Sequence, residues 1–171
     1  MKHTLSILVQ NQAGVLSRVA ALFTRRGYNI ESIAVGPTED PRVARMTIVV
    51  EGDSREVEQI TKHVHKLIEV LKVTDLTHED MVDRELALIK VTADSHNRSE
   101  ILQIVDIFRA KIVDVSEKSV IVEVTGDEGK IEAMIRLLRP HGIKELARTG
   151  RIALARGARP EPASRGVSAT A

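Results

Sequence analysis

The spacing of apolar residues along this chain switches repeatedly between period two and the 3.6 of a helix, and the order of those switches leaves few folds open. Leu5, Ile7 and Val9 alternate with Thr4, Ser6 and Leu8, which predicts a mostly buried strand. Asn11-Gln12-Ala13-Gly14 breaks it. Val15, Leu16, Val19, Leu22 and Phe23 then share one helical face, with Arg25 and Arg26 in the last turn and Gly27 as the stop. Ile30 to Val35 is a second strand, and Gly36-Pro37 and Asp40-Pro41 punctuate a turn. Ala44, Met46, Ile48 and Val50 alternate in a third strand. Asp53, followed by Glu56, opens a second helix carrying Val57, Ile60, Val64, Leu67 and Ile68. Val70 to Leu76 closes the set. The order is βαββαβ, and right-handed crossovers turn it into a four-stranded sheet with two helices on one face, the ferredoxin-like arrangement.

A fainter copy follows. Glu79 to Glu85 reads as a charged connector, and Leu86, Leu88, Ile89 and Val91 as a strand. Ile101, Ile104, Val105 and Phe108 give a helix, and Ile112 to Val115 and Val120 to Val124 a hairpin across Glu117-Lys118-Ser119. Asp127 caps a helix with Ile131, Met134, Ile135 and Leu138, ended by Pro140-His141-Gly142, and Ile143 to Ile152 supplies a last strand. The predicted fold class is α+β, with two tandem ferredoxin-like domains at residues 1–78 and 79–156. Residues 157–171 are mostly Pro, Ala, Ser, Arg and Gly with almost no large apolar side chain, a composition that predicts a disordered tail.

Several functions are disfavoured by what the chain lacks. Its 171 residues carry 25 basic and 24 acidic side chains, whereas a nucleic-acid binder shows a larger or more segregated positive excess. The same βαββαβ order serves RNA-binding modules that stack bases on strand aromatics, but the aromatics here are only Phe23, Tyr28 and Phe108, none on the first or third strand. Without cysteine there is no disulfide, thiolate metal site or cysteine nucleophile. His63 and His65 are two apart on a predicted helix, project in different directions and cannot chelate one metal. No nucleophile turn and no phosphate-binding glycine loop occurs, so no catalytic and no metal-binding residues are assigned. Met1 to Val9 lacks the apolar length of a signal peptide or membrane span, which leads to the expectation of a cytoplasmic protein free of membrane.

One junction carries chemistry. Asn11 to Gly14 joins the first strand to the first helix, whose leading N–H groups lack internal partners and carry partial positive charge. Glycine lets a carboxylate approach them. Asn11 and Asn29 each offer an amide oxygen to an ammonium group, and Val15, Leu16 and Ile30 offer apolar surface to an aliphatic chain. The parts suit a small amino acid, and they equally suit a plain helix cap built by Asn11 and Gly14.

The run from His3 to Val19, HTLSILVQNQAGVLSRV, resembles the opening of the ACT domain, an amino-acid-binding module. Phe23 to Ser32, FTRRGYNIES, with Arg45 to Val49 and Phe108 to Val115, resembles the acetolactate (acetohydroxyacid) synthase small-subunit family over about residues 2–157. The resemblance implies an ACT effector-binding and dimerisation domain at residues 1–78, paired with a second copy into a larger sheet, and a regulatory domain at 79–156. It carries the effector role over to Asn11, Gly14 and Asn29, with the backbone of Val15 and Leu16 and the packing of Ile30. The implied partners are a second copy, a catalytic large subunit and a branched-chain amino acid, usually valine. Thiamine diphosphate, a divalent metal and FAD are implied on the catalytic subunit and no cofactor on this chain. Gly36 stands where many relatives have Ala, which bears on ligand preference. Two rivals remain: a stand-alone ACT-type regulator of another enzyme or of transcription, which needs a further domain that 171 residues leave no room for, and a small enzyme of this fold, which needs an acid/base cluster.

Overall fold

The alternation at Leu5, Ile7 and Val9 becomes strand β1 (Lys2–Gln10), the centre from which the first half of the molecule is built. In a computed structural model, which describes residues 1–157, it is followed by α1 (Val15–Arg25), β2 (Ile30–Pro37), β3 (Val43–Glu51), α2 (Ser54–His65) and β4 (Val70–Asp75). The sheet order is β2-β3-β1-β4, all antiparallel between neighbours. Alternate residues Leu5, Ile7, Val9, Met46, Ile48 and Val50 point to the helices and meet Val15, Val19, Phe23, Val57, Ile60 and Val64. Phe23 is fully buried and fills this core, so its truncation to alanine would cost about 3–5 kcal/mol.

The second half repeats the order with β5 (Met81–Thr92), α3 (Arg98–Ile107), β6 (Lys111–Val115), β7 (Ser119–Gly126), α4 (Glu128–Leu138), β8 (Ile143–Arg148) and β9 (Ile152–Ala155). Its sheet runs β6-β7-β5-β8, with β9 also paired to β5. Ala87, Ile89, Val91, Val120, Val122 and Val124 face Ile101, Val105, Ile131, Met134 and Leu138. The two βαββαβ repeats are therefore present, and the fold is α+β. The chain divides into two compact units, one of Met1–Val82 together with residues 153–157, the other Asp83–Ile152. The expected disordered tail lies outside the described residues apart from Gly157.

Four local expectations are corrected. The charged connector is strand from Met81 onward, because Glu85 is buried and paired with Arg148 at 2.8 Å, while Asp83 pairs with Arg151 at 3.3 Å. The single last strand is two, β8 and β9, interrupted at Thr149 to Arg151. β2 runs through Gly36-Pro37, and the turn begins at Thr38, whose N–H donates to Val43 O at 3.0 Å. Ile68, expected on the apolar face of α2, lies past its end at His65 and is exposed.

Candidate functional site

The N-terminus of α1 is unlike those of α2 and α4. Asp53 caps α2 by accepting from Glu56 N at 2.8 Å, and Glu56 returns the bond to Asp53 N at 3.2 Å. Asp127 caps α4 by accepting from Lys130 N at 2.8 Å, and Glu128 lies in that first turn. The cap of α1 is Gly14, which has no side chain to offer, and its first turn holds no acidic residue. The partial positive charge of this helix end is left without a carboxylate from its own first turn. Gly14 sits at φ 82°, in the left-handed region, where glycine bears no steric cost. Its position opens to space: a Cβ there would meet only the guanidinium nitrogens of Arg18, at 3.9 and 4.0 Å.

Asn11 is fixed to the neighbouring turn. Its backbone N–H donates to Arg42 O at 2.7 Å and its Nδ2 to Pro41 O at 3.0 Å, which turns the amide oxygen away from Pro41. That turn is held by Asp40, whose carboxylate accepts from Arg42 N, Nε and Nη2. The Arg42 side-chain hydrogen bonds, and then its backbone N–H, hold the Asp40 carboxyl below the ordinary aspartate range.

Asn11, Gly14 and Leu16 lie together at this end of the sheet. Leu16 is 45% exposed and presents an apolar surface beside the cap. Val15 is only 2% exposed, its side chain belongs to the core, and its backbone N–H donates to Gln12 O at 3.5 Å. Asn29 and Ile30 are elsewhere. Ile30 is half-buried against the core and pairs with Val50, which pairs with His3 at the start of β1. Asn11 follows Gln10, which pairs with Val43 at the finish of β1. The seven-residue step from His3 to Gln10 is about 23 Å at ~3.3 Å per residue. One chain thus places Asn29 and the Asn11–Gly14 loop at opposite ends of one sheet. The split follows from the βαβ connection itself: β2 is parallel to β1, so it starts where β1 starts.

Arg18 is the charged neighbour that reading the sequence passed over. Its only signal was its place four residues after Gly14, on the same helical face. Its Nη2 lies 2.7 Å from Glu69 Oε1, and Glu69 O accepts from Gln10 N at 2.8 Å. Among the described residues no three His, Asp or Glu side chains are grouped to hold a metal ion.

Comparison with known proteins places this chain in a family. Residues 5–72 match the small-subunit-like ACT domain of acetohydroxyacid synthase, and residues 84–157 match the small subunit of acetolactate synthase. A probable acetolactate synthase small subunit of Archaeoglobus fulgidus is 59% identical over 157 residues, 92% of this chain and 98% of that one. One of Methanothermobacter thermautotrophicus is 58% identical over 158 residues, 92% of this chain and 94% of that one. The crystal structure of the acetolactate synthase small subunit of Thermotoga maritima superposes with a TM-score of 0.85 at 48% identity, covering 93% of this chain and 99% of that one. The chain belongs to the family of acetolactate synthase small, regulatory subunits, with an ACT domain in its first half.

Proposed function

We propose that this chain activates an acetolactate synthase catalytic subunit and makes it subject to feedback inhibition by a branched-chain amino acid, valine first, in valine, isoleucine and leucine biosynthesis. Residues 1–78 bind the effector and dimerise, and residues 79–156 form the regulatory second domain. The chain holds no cofactor; thiamine diphosphate, magnesium and FAD sit on the catalytic subunit. The assembly works in the cytoplasm, without membrane or nucleic acid.

The observation that carries the effector reading is the open α1 terminus, where Gly14 leaves room for a carboxylate that the helix does not supply itself. The Asn11 and Asn29 amide oxygens accept from the ammonium group, and Leu16 and Ile30 take the aliphatic chain. Because Asn29 lies at the far end of the sheet, one chain is half a site. β2 is an edge strand, and Ile33 and Val35 on it are exposed. Antiparallel pairing of β2 with β2 of a second copy sets the start of one strand beside the finish of the other. That brings Asn29 of one protomer toward the Asn11–Gly14 loop of its partner. Two equivalent sites result, one at each end of the paired strands.

The test is reconstitution. The purified chain is mixed with the catalytic subunit of the same organism, and acetolactate formation from pyruvate is measured against valine. The expected result is higher activity on mixing and loss of that gain as valine rises. No change on mixing, or a gain indifferent to valine, leucine and isoleucine alike, would refute the proposal.

A further inference from the structure

The guanidinium of Arg18 hangs over the one open position of the α1 cap. Both of its terminal nitrogens lie about a van der Waals contact from where a Gly14 Cβ would be, at 3.9 and 4.0 Å. The two residues are one helical turn apart, Arg18 N donating to Gly14 O at 3.1 Å. Among the described residues one carboxylate engages the Arg18 charge, Glu69 at 2.7 Å, and the Arg18 side chain is still half exposed. Glu69 is largely buried and its carbonyl accepts from N of Gln10, the residue before Asn11, which seats it at the rim of the loop.

We infer that Arg18 is an effector-binding residue, a cation that reaches the ligand carboxylate over Gly14, and that Glu69 sets its strength by competing for the same guanidinium. The inference rests on the proposed amino-acid site and adds the residues that tune it. A carboxylate arriving at the helix N-terminus meets Arg18 in a planar, two-pronged geometry suited to it. It must share that charge with Glu69, whose fixed negative charge opposes the newcomer. The site is therefore held below its full affinity by design of its own ion pair, and the two residues act with opposite sign.

That opposition separates the inference from a structural role. If the pair only braced α1 against the start of β4, breaking it from either side would lower stability alike and move ligand affinity in one direction or not at all. The experiment is calorimetric titration of the full-length chain with valine and with valinamide, which keeps the ammonium and side chain but lacks the carboxylate. Arg18→Gln is expected to weaken valine at least tenfold. Glu69→Gln is expected to tighten it severalfold. For valinamide the parent and Arg18→Gln should bind alike. Thermal melts identify any variant that fails to fold, and Arg18→Lys, which keeps the charge without the fork, should fall between parent and Gln. The inference is overturned if Arg18→Gln and Glu69→Gln shift valine affinity the same way, or if neither shifts it while Gly14→Asp abolishes binding. A Gly14→Asp chain that binds valine like the parent would instead overturn the site itself, and this inference with it.

Discussion

The same junction occurs twice in this molecule and is finished in two different ways. In the first unit β1 passes to α1 through Asn11-Gln12-Ala13-Gly14, and no side chain of the loop caps the helix. In the second unit β5 passes to α3 through Ala93-Asp94-Ser95-His96-Asn97. There Asp94 accepts from His96 N at 2.7 Å and from Asn97 N at 3.2 Å, and Asn97 accepts from Asp94 N at 2.9 Å. Arg98 is consumed by the carbonyls of Ala93, Ser116 and Glu117. The second junction already holds a carboxylate where backbone N–H groups converge, and its arginine is spent on the backbone. In the first, Val15 N donates to Gln12 O at a long 3.5 Å, the first turn of the helix holds no acidic residue, and Arg18 stays half exposed. Neither helix is capped by a side chain, and the difference lies in the loop before it: in the second copy a carboxylate takes up the N–H groups of His96 and Asn97, and in the first copy Gly14 leaves the turn open.

Filling the open first junction with a carboxylate should have the largest effect. Gly14→Asp puts a carboxylate on the open cap, within reach of Arg18, at the place proposed for the ligand carboxylate. Loss of one charge-assisted contact costs about 1.5–3 kcal/mol, or tenfold to over a hundredfold in affinity, and added repulsion pushes toward the upper end. An aspartate at φ 82° bears a left-handed strain of about 1 kcal/mol, small enough for the chain to fold and still activate its partner. Valine titrations of binding and of the reconstituted enzyme check both halves of the statement. Asn29→Ala comes next. It removes an acceptor for the ammonium group but adds no repulsion, so affinity should fall by roughly tenfold. A variant with unchanged valine affinity would remove Asn29 from the site.

The smallest effect tests the filled junction. The backbone N–H groups of His96 and then of Asn97 hold the Asp94 carboxyl below the ordinary aspartate range. A carboxyl depressed on folding stabilises the folded state at neutral pH. That stabilisation is lost as the pH falls below about 4 and through the lowered value. Asp94→Asn cannot titrate, so its unfolding midpoint in urea should depend less on pH in that range than the parent's, while valine binding stays the same. A parent and variant with parallel acid profiles would show that the carboxylate charge does not serve the turn that leads into α3.

Much of this was readable in the sequence because it depends on local period. Strand β1, the helical face of α1 and the capping pair Asp53 and Glu56 are patterns within a dozen residues, and the structure keeps them. What escaped depends on partners far along the chain. Met81 to Glu85 looked like a connector since acidic residues at strand positions imply solvent, until Arg148 and Arg151 arrive more than sixty residues later to neutralise Asp83 and Glu85. The proposed site shows the same limit. Asn11, Gly14 and Asn29 could be picked out by residue type and by family resemblance, but spacing along the chain did not say that a sheet's full length divides them. Leu16 looked like a core residue by helical period, and its exposure comes from its place at the first turn of α1.

The central claim is that each effector site is built from two chains, Asn29 from one and the Asn11–Gly14 loop from the other. Mixing two defective variants tests it most directly. Gly14→Asp spoils the loop, and Asn29→Lys sets a like charge against the ligand ammonium, so each homodimer should fail to bind valine. Denaturing the two together and refolding them gives mixed dimers in which one site carries both changes and the other carries neither. Random pairing makes about half of the dimers mixed, so about a quarter of all sites should bind valine with the parent's affinity. Recovery of that fraction by calorimetry is the predicted result. A mixture as inactive as its components, with mixed dimers demonstrated by mass, would place both residues in the same chain's site and contradict the account.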